Sequence, residues 1–146
     1  MSVSLRELTP QNFRPTARLK VAPDQEGFVA PVTFSIAESK VEPYLLNRVI
    51  YHEEEPVGHI LFGRDPDDGR VWLVRLMVAS QFQRKGYGGA AVNLLVEEIK
   101  TLLPTDALFL SFVPANTGAE KLYERLGFVK TGEISHGEEV MRLPIT

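Results

Sequence analysis

Val3–Leu8 alternates apolar and polar residues and stops at Thr9-Pro10, which predicts a short strand. Gln11–Lys20 reads as a weak helix interrupted by Pro15, and Pro23–Pro31 as a loop with unusually apolar content (Phe28, Val29, Ala30). Thr33–Val41 is a short helix that ends before Pro43. Strands at Tyr44–His52 and Val57–Arg64 flank the turn Glu53-Glu54-Glu55-Pro56, a hairpin pattern with charges at its tip. After the turn Asp65–Gly69, the strand Val71–Ala79 follows; its alternation predicts Trp72, Val74, Leu76 and Val78 on one face, with Leu73, Arg75 and Met77 on the other. Beyond Gly86-Tyr87-Gly88-Gly89 the period becomes helical, with Ala91, Leu94, Leu95, Ile99 and Leu102 on one face up to Pro104. Ala107–Val113 is a strand, and Asn116–Leu126 a helix stopped by Gly127. Phe128–Glu133 and Val140–Pro144 close the chain as a strand pair around Ser135–Gly137. The order β-α-α-β-β-β-α-β-α-β-β predicts a mixed α/β (α+β) layer design whose front half is largely antiparallel.

No repeat or low-complexity stretch divides the 146 residues, so residues 1–146 are expected to form a single domain. The absence of cysteine excludes disulfide frameworks, cysteine-ligated metals and thiol nucleophiles. His52, His59 and His136 lack metal-ligand spacing, so no metal is assigned. A formal charge of −3 gives no general attraction to nucleic acid or anionic lipid. There is no apolar run long enough to cross a bilayer, and the start MSVSLRELTPQ lacks the features of a signal peptide. A cytoplasmic protein is the expectation.

The chemistry concentrates in Leu76–Gly89, where a strand feeds a glycine-rich turn that opens a helix. Gly86, Gly88 and Gly89 let backbone N–H groups approach a ligand at the positive end of that helix, a natural seat for phosphate. Gln83, Arg84 and Lys85 add donors and positive charge; a solvated loop is the blander alternative. Neither the dinucleotide fingerprint G-x-G-x-x-G nor the P-loop is present. What stands there is Gln-x-x-Gly-x-Gly, Gln83 through Gly88.

That segment resembles motif A of the GNAT superfamily of acetyl-CoA-dependent N-acetyltransferases. The second half agrees: strand LFLSF, then Asn116, then Ala119-x-x-Leu122-Tyr123 and Gly127-Phe128. Phe28–Pro31, Ile36–Glu38, Val41–Pro43, Trp72–Val78 and Gly86–Gly88 are similar to the bacterial spermine/spermidine (diamine) acetyltransferase group. The resemblance implies a mixed, mostly antiparallel central sheet of about seven strands flanked by four helices. It implies acetyl-CoA as co-substrate and direct transfer to a primary amine, most readily a polyamine such as spermine or spermidine. Other acceptors in the same reading are a protein amine, an amino acid or an antibiotic amine; a non-catalytic acetyl-CoA sensor is the alternative of another class. The resemblance is also compatible with a homodimer.

Residue by residue, it implies that the backbone of Leu76, Met77 and Val78 pairs with the pantetheine arm, the Leu76 N–H serving as oxyanion donor. Gln83, Arg84, Lys85, Gly86, Tyr87, Gly88 and Gly89 would surround the pyrophosphate, and Asn116 would cap its helix or also contact the cofactor. Tyr123 matches the family's proton donor to the departing thiolate; on spacing alone it also reads as a packed aromatic. Some members carry a basic glutamate where this chain has Trp72, so the proton route must use water and a carboxylate elsewhere, or backbone carbonyls. Trp72 is then an apolar or cation–π wall for the amine, or a core residue. Arg75 in mid-strand is expected to pair with a carboxylate. Phe28, Glu38 and Glu42 lie where the acceptor pocket is expected, the two glutamates as ammonium ligands or as a solvated helix face.

Overall fold

The computed structural model describes residues 2–146. Among them run the strands β1 (Val3–Glu7), β2 (Leu46–His52), β3 (Glu55–Arg64), β4 (Val71–Val78), β5 (Ala107–Phe112), β6 (Val129–Ser135) and β7 (Glu138–Pro144). The α-helices are α1 (Phe13–Ala17), α2 (Val32–Val41), α3 (Tyr87–Leu102) and α4 (Thr117–Arg125). All seven strands join one sheet in the order β1-β2-β3-β4-β5-β7-β6. Every neighbouring pair is antiparallel except β4 and β5, which are parallel and joined through α3, as a crossover requires. Pro15 does not break α1, because it sits in the first turn, where its missing N–H has no helical partner to lose.

One face of the sheet carries the main core. Tyr87, Ala91, Val92, Leu95 and Ile99 of α3 pack with Ile50, Ile60, Phe62, Val71, Leu73 and Leu110 from the strands. Leu94 and Leu102, expected in that stripe, are instead 38% and 44% exposed. At about 100° per residue Leu94 falls at the margin of a stripe centred near Leu95, and Leu102 is the last residue of the helix. Tyr123 and Phe128 extend the core beneath α4.

The facing predicted along β4 needs correction. Leu61 pairs with Arg75 but Phe62 with Leu73, so Val74 has no partner and forms a β-bulge. The bulge resets the alternation. Val71 and Leu73 before it, and Leu76 and Val78 after it, all join the α3 core. Trp72 packs with Ala107, Phe109 and Val140 on the opposite face. Trp72 therefore does not share a face with Leu76, and Leu73 does not share one with Arg75.

On that opposite face, α2 covers a polar chain rather than a purely apolar one. The His59 Nε2–H donates to Asn47 Oδ1 at 2.8 Å, Asn47 Nδ2 donates to Ser39 Oγ at 2.9 Å, and Ser39 Oγ donates to the Ile36 carbonyl at 2.7 Å. Burial first, and the nearby Arg75 charge second, lower the His59 pKa from 6.5 to about 4. Above pH 6.5 the imidazole is neutral in both folded and unfolded chains and exerts no pH dependence. As pH falls from 6.5 to 4 the unfolded chain binds a proton that the folded one refuses, so stability is lost, by roughly 3 kcal/mol in all. Melting temperature measured from pH 7 to pH 4 is expected to fall more steeply for the parent than for His59→Gln; parallel curves would contradict the assignment.

Candidate active site

The parallel seam between β4 and β5 is very short. Only Val71 with Leu108 and Trp72 with Phe109 are paired; beyond them the strands part. Parallel strands with continuous pairing would bury their facing N–H and C=O groups in each other, so the parting leaves an open backbone edge on β4. Its direction follows from alternation. The Ala79 N–H donates to the Val57 carbonyl on the β3 side, so the N–H groups of Leu76 and Val78 point the other way, into the split. The Val78 carbonyl on that side accepts Gln83 Nε2 at 2.8 Å.

The split is the floor of a cleft of about 1020 Å³. Leu76, Met77 and Val78 line it, together with Gln83, Arg84, Gly86, Tyr87, Gly88 and Gly89 of the turn. Gly86 is the N-cap of α3 at φ 85, a left-handed conformation that L side chains rarely adopt. Gly88 and Gly89 have ordinary helical backbone, and an added Cβ would meet Leu122 at 3.7 Å and Leu126 at 3.6 Å respectively, ordinary van der Waals contact, so alanine would fit at either position. Only one of the three glycines is thus required by the turn itself. The first N–H groups of α3 have no partners within the helix and carry its positive dipole end.

Two basic residues that sequence reasoning missed, Lys121 and Arg125, join Arg84 around this end of the cleft. Their signal was an i, i+4 basic pair on α4, which means little until α4 is known to pack beside the α3 N-terminus. Lys85 is exposed and does not line the cleft. The Tyr87 ring packs in the core and stacks on His52 with centroids 4.8 Å apart. Gln83 exchanges amide hydrogen bonds with Gln25, at 2.8 and 3.2 Å, and so fastens the loop before α2 to the glycine turn.

Asn116 caps α4, its Oδ1 accepting the Ala119 N–H at 3.2 Å, and also lines the cleft. Tyr123 is buried, edge-on to Phe128 at 5.7 Å between centroids, with its lining surface on the cleft. Burial raises its pKa from 10.0 to about 12, so the phenol holds its proton throughout the neutral range.

The acceptor side departs furthest from expectation. Phe28 lines the cleft, as do Glu26 and the loop up to Pro31. Glu38 does not; its carboxylate is taken by Arg75, whose guanidinium also donates to Ser35 Oγ at 3.3 Å and lies over Phe34. Glu42 is exposed at the end of α2, accepting the Tyr44 hydroxyl at 3.3 Å, and Trp72 donates its Nε1–H to Asp68 at 3.0 Å. Neither reaches the cleft lining. Instead the cleft receives Ser111 of β5 and Glu138 of β7, joined by a 2.8 Å hydrogen bond from Ser111 Oγ to Glu138 Oε1. Among the described residues no group of three His, Cys, Asp or Glu could hold a metal ion, and no helix is long and apolar enough to cross a membrane.

Comparison with known proteins gives the family and the fold. The family model described as acetyltransferase (GNAT) family matches residues 5–128. The spermine/spermidine N(1)-acetyltransferase of Bacillus subtilis (strain 168) is 28% identical over 148 aligned positions, covering 97% of each chain. Among solved structures, the spermidine N-acetyltransferase of Vibrio cholerae in complex with CoA and spermine has a TM-score of 0.77 at 16% identity, covering 99% of this chain and 96% of that one. The ribosomal-protein-S18-alanine N-acetyltransferase of Escherichia coli has a TM-score of 0.70 at 21% identity, covering 99% and 94%. At such identities the two structures establish a shared fold.

Proposed function

Because the chain belongs to the acetyltransferase (GNAT) family, we propose that it moves the acetyl group of acetyl-CoA directly onto a small primary amine, a polyamine of the spermidine or spermine type in the first instance. One observation carries the reading: a single cleft is basic where α3 begins and has the carboxylates Glu26 and Glu138 elsewhere in its lining. That polarity suits an anionic donor and a cationic acceptor. The relative from Bacillus subtilis supports the choice of polyamine by its name and full-length match.

The residues fit acetyl-CoA. Its phosphates suit the first turn of α3 with Arg84, Lys121 and Arg125, and the open edge of β4 suits an extended amide-bearing arm. Acetyl-CoA supplies an activated acyl group. The Leu76 N–H, fixed by the sheet and pointing into the split, would stabilise negative charge on the carbonyl oxygen without reorganising. Tyr123, kept neutral by burial, would give its proton to sulfur.

Free thiol released from acetyl-CoA in the presence of an amine panel tests the reading. Turnover with spermidine and spermine is expected, with amine KM rising with salt while acetyl-CoA KM changes less, since polycation binding to carboxylates is screened. Glu26→Gln should raise the polyamine KM with a smaller effect on kcat. If polyamines are inert while another amine turns over, the acceptor assignment fails and acetyl transfer stands. If acetyl-CoA binds and no amine reacts, the sensor reading replaces both.

A further inference from the structure

The neutral amine needed for attack on a thioester is scarce at pH 7, where aliphatic amines are ammonium ions, so some group must take a proton. Within the acetyl-transfer reading, on which the following rests, the residue for that step is missing from β4, where Trp72 faces away from the cleft. We propose that the Glu138 carboxylate, oriented by the Ser111 hydroxyl, receives the reacting ammonium group of the acceptor and takes its proton.

The position follows from strand register. Trp72 and Phe109 are the last paired residues of the seam. Ser111 lies two residues further along β5. Leu76 lies four further along β4, one of which is absorbed by the Val74 bulge. The Ser111 side chain and the Leu76 N–H therefore flank the split within about one residue of the same height, on the order of 3.3 Å. Their faces follow too. Ser111 shares a face with Phe109, which packs on Trp72 away from α3, whereas Tyr123 sits with Phe112 and Phe128 on the α3 side. Proton acceptor and proton donor thus stand on opposite faces of the split, with the oxyanion donor between them, so the amine can add to the thioester carbon near Glu138 while the sulfur expelled from the tetrahedral intermediate takes its proton from Tyr123.

The carboxylate is also chemically available. The Ser111 hydroxyl donates to Oε1 and leaves Oε2 uncommitted. Among the described residues no cation pairs with Glu138, whereas Glu38, Glu133 and Glu139 are each engaged by Arg75, Arg70 and Lys130. An incoming ammonium supplies the missing counter-charge. In the step itself an N–H bond of the ammonium breaks, its electron pair stays on nitrogen, and an O–H bond forms on Glu138; the proton then leaves to water through the open cleft.

Glu138→Gln keeps the side chain's size and an oxygen for Ser111. It is expected to lower kcat/KM for the amine at pH 7 by about 10²-fold or more, with acetyl-CoA binding, read by calorimetry, unchanged. The deficit should shrink as pH rises towards 10 and the ammonium loses its proton to solvent unaided, a recovery that loss of a merely structural contact would not give. Ser111→Ala should lower kcat/KM several-fold and Ser111→Thr restore it. If Glu138→Gln turns over every active amine like the parent, or its deficit is independent of pH, the inference is overturned while acetyl transfer stands. If the parent binds acetyl-CoA but acetylates no amine, the functional reading falls and takes this step with it.

Discussion

Tyr123→Phe is expected to lower kcat by about 10²–10⁴-fold while leaving acetyl-CoA affinity near that of the parent. The substitution removes one oxygen from a buried ring and keeps the edge-on contact with Phe128, so the fold has little reason to respond. The pH dependence separates the two proton-transfer roles. The Tyr123 pKa is raised by burial to about 12, so the acid stays loaded across the working range and imposes no falling limb up to pH 9. The parent rate should rise from pH 6 to pH 9 as the amine loses its proton, and Tyr123→Phe should run parallel below it. Single-turnover measurements, in which chemistry is observed directly, decide the matter: an unchanged rate constant returns Tyr123 to a packing role.

Gly86→Val should abolish most of the rise in melting temperature that acetyl-CoA gives the parent, corresponding to at least a tenfold weaker Kd. Valine at φ 85 is strained by roughly 1–2 kcal/mol, and relief of that strain would rotate the first N–H groups of α3 away from the cleft. The strain alone would lower stability without bearing on the ligand. Gly69 offers the control, because it too has a positive φ, 73, with nothing within 4 Å of an added Cβ. Gly69→Val should lose stability yet keep the full acetyl-CoA shift. If Gly86→Val behaves in the same way, the phosphate seat lies elsewhere.

The strands, the long α3 and the glycine turn were legible because each is written in consecutive residues: alternation, helical period, and a stop at proline or glycine. The Val74 bulge was not. An extra residue in one strand is defined by its partner's register, and strict alternation along β4 gave Trp72 and Leu73 the wrong faces. The acceptor side was hidden for a related reason. Glu138 reaches the cleft because β7 inserts between β5 and β6, a strand order that no local pattern encodes. Glu38 has the right neighbourhood in sequence, but its carboxylate is taken by the Arg75 guanidinium, a long-range pairing that nothing in the residues around either partner specifies. Lys121 and Arg125 gain meaning only from helix packing.

The open edge of β4 divides labour between main chain and side chains in a way that bears on how such an enzyme diversifies. The proposed donor contacts use the amides of Leu76 and Val78, and an amide is the same in nineteen of the twenty amino acids, proline alone lacking the hydrogen. Drift at these positions costs packing but not recognition of the acyl donor. Arg75, on the other face of the same strand, and Glu138, across the split, meet the acceptor side only through their side chains. A lineage can therefore exchange its amine by editing that face alone, while the main-chain contacts proposed for the acyl arm persist whatever side chains β4 carries there.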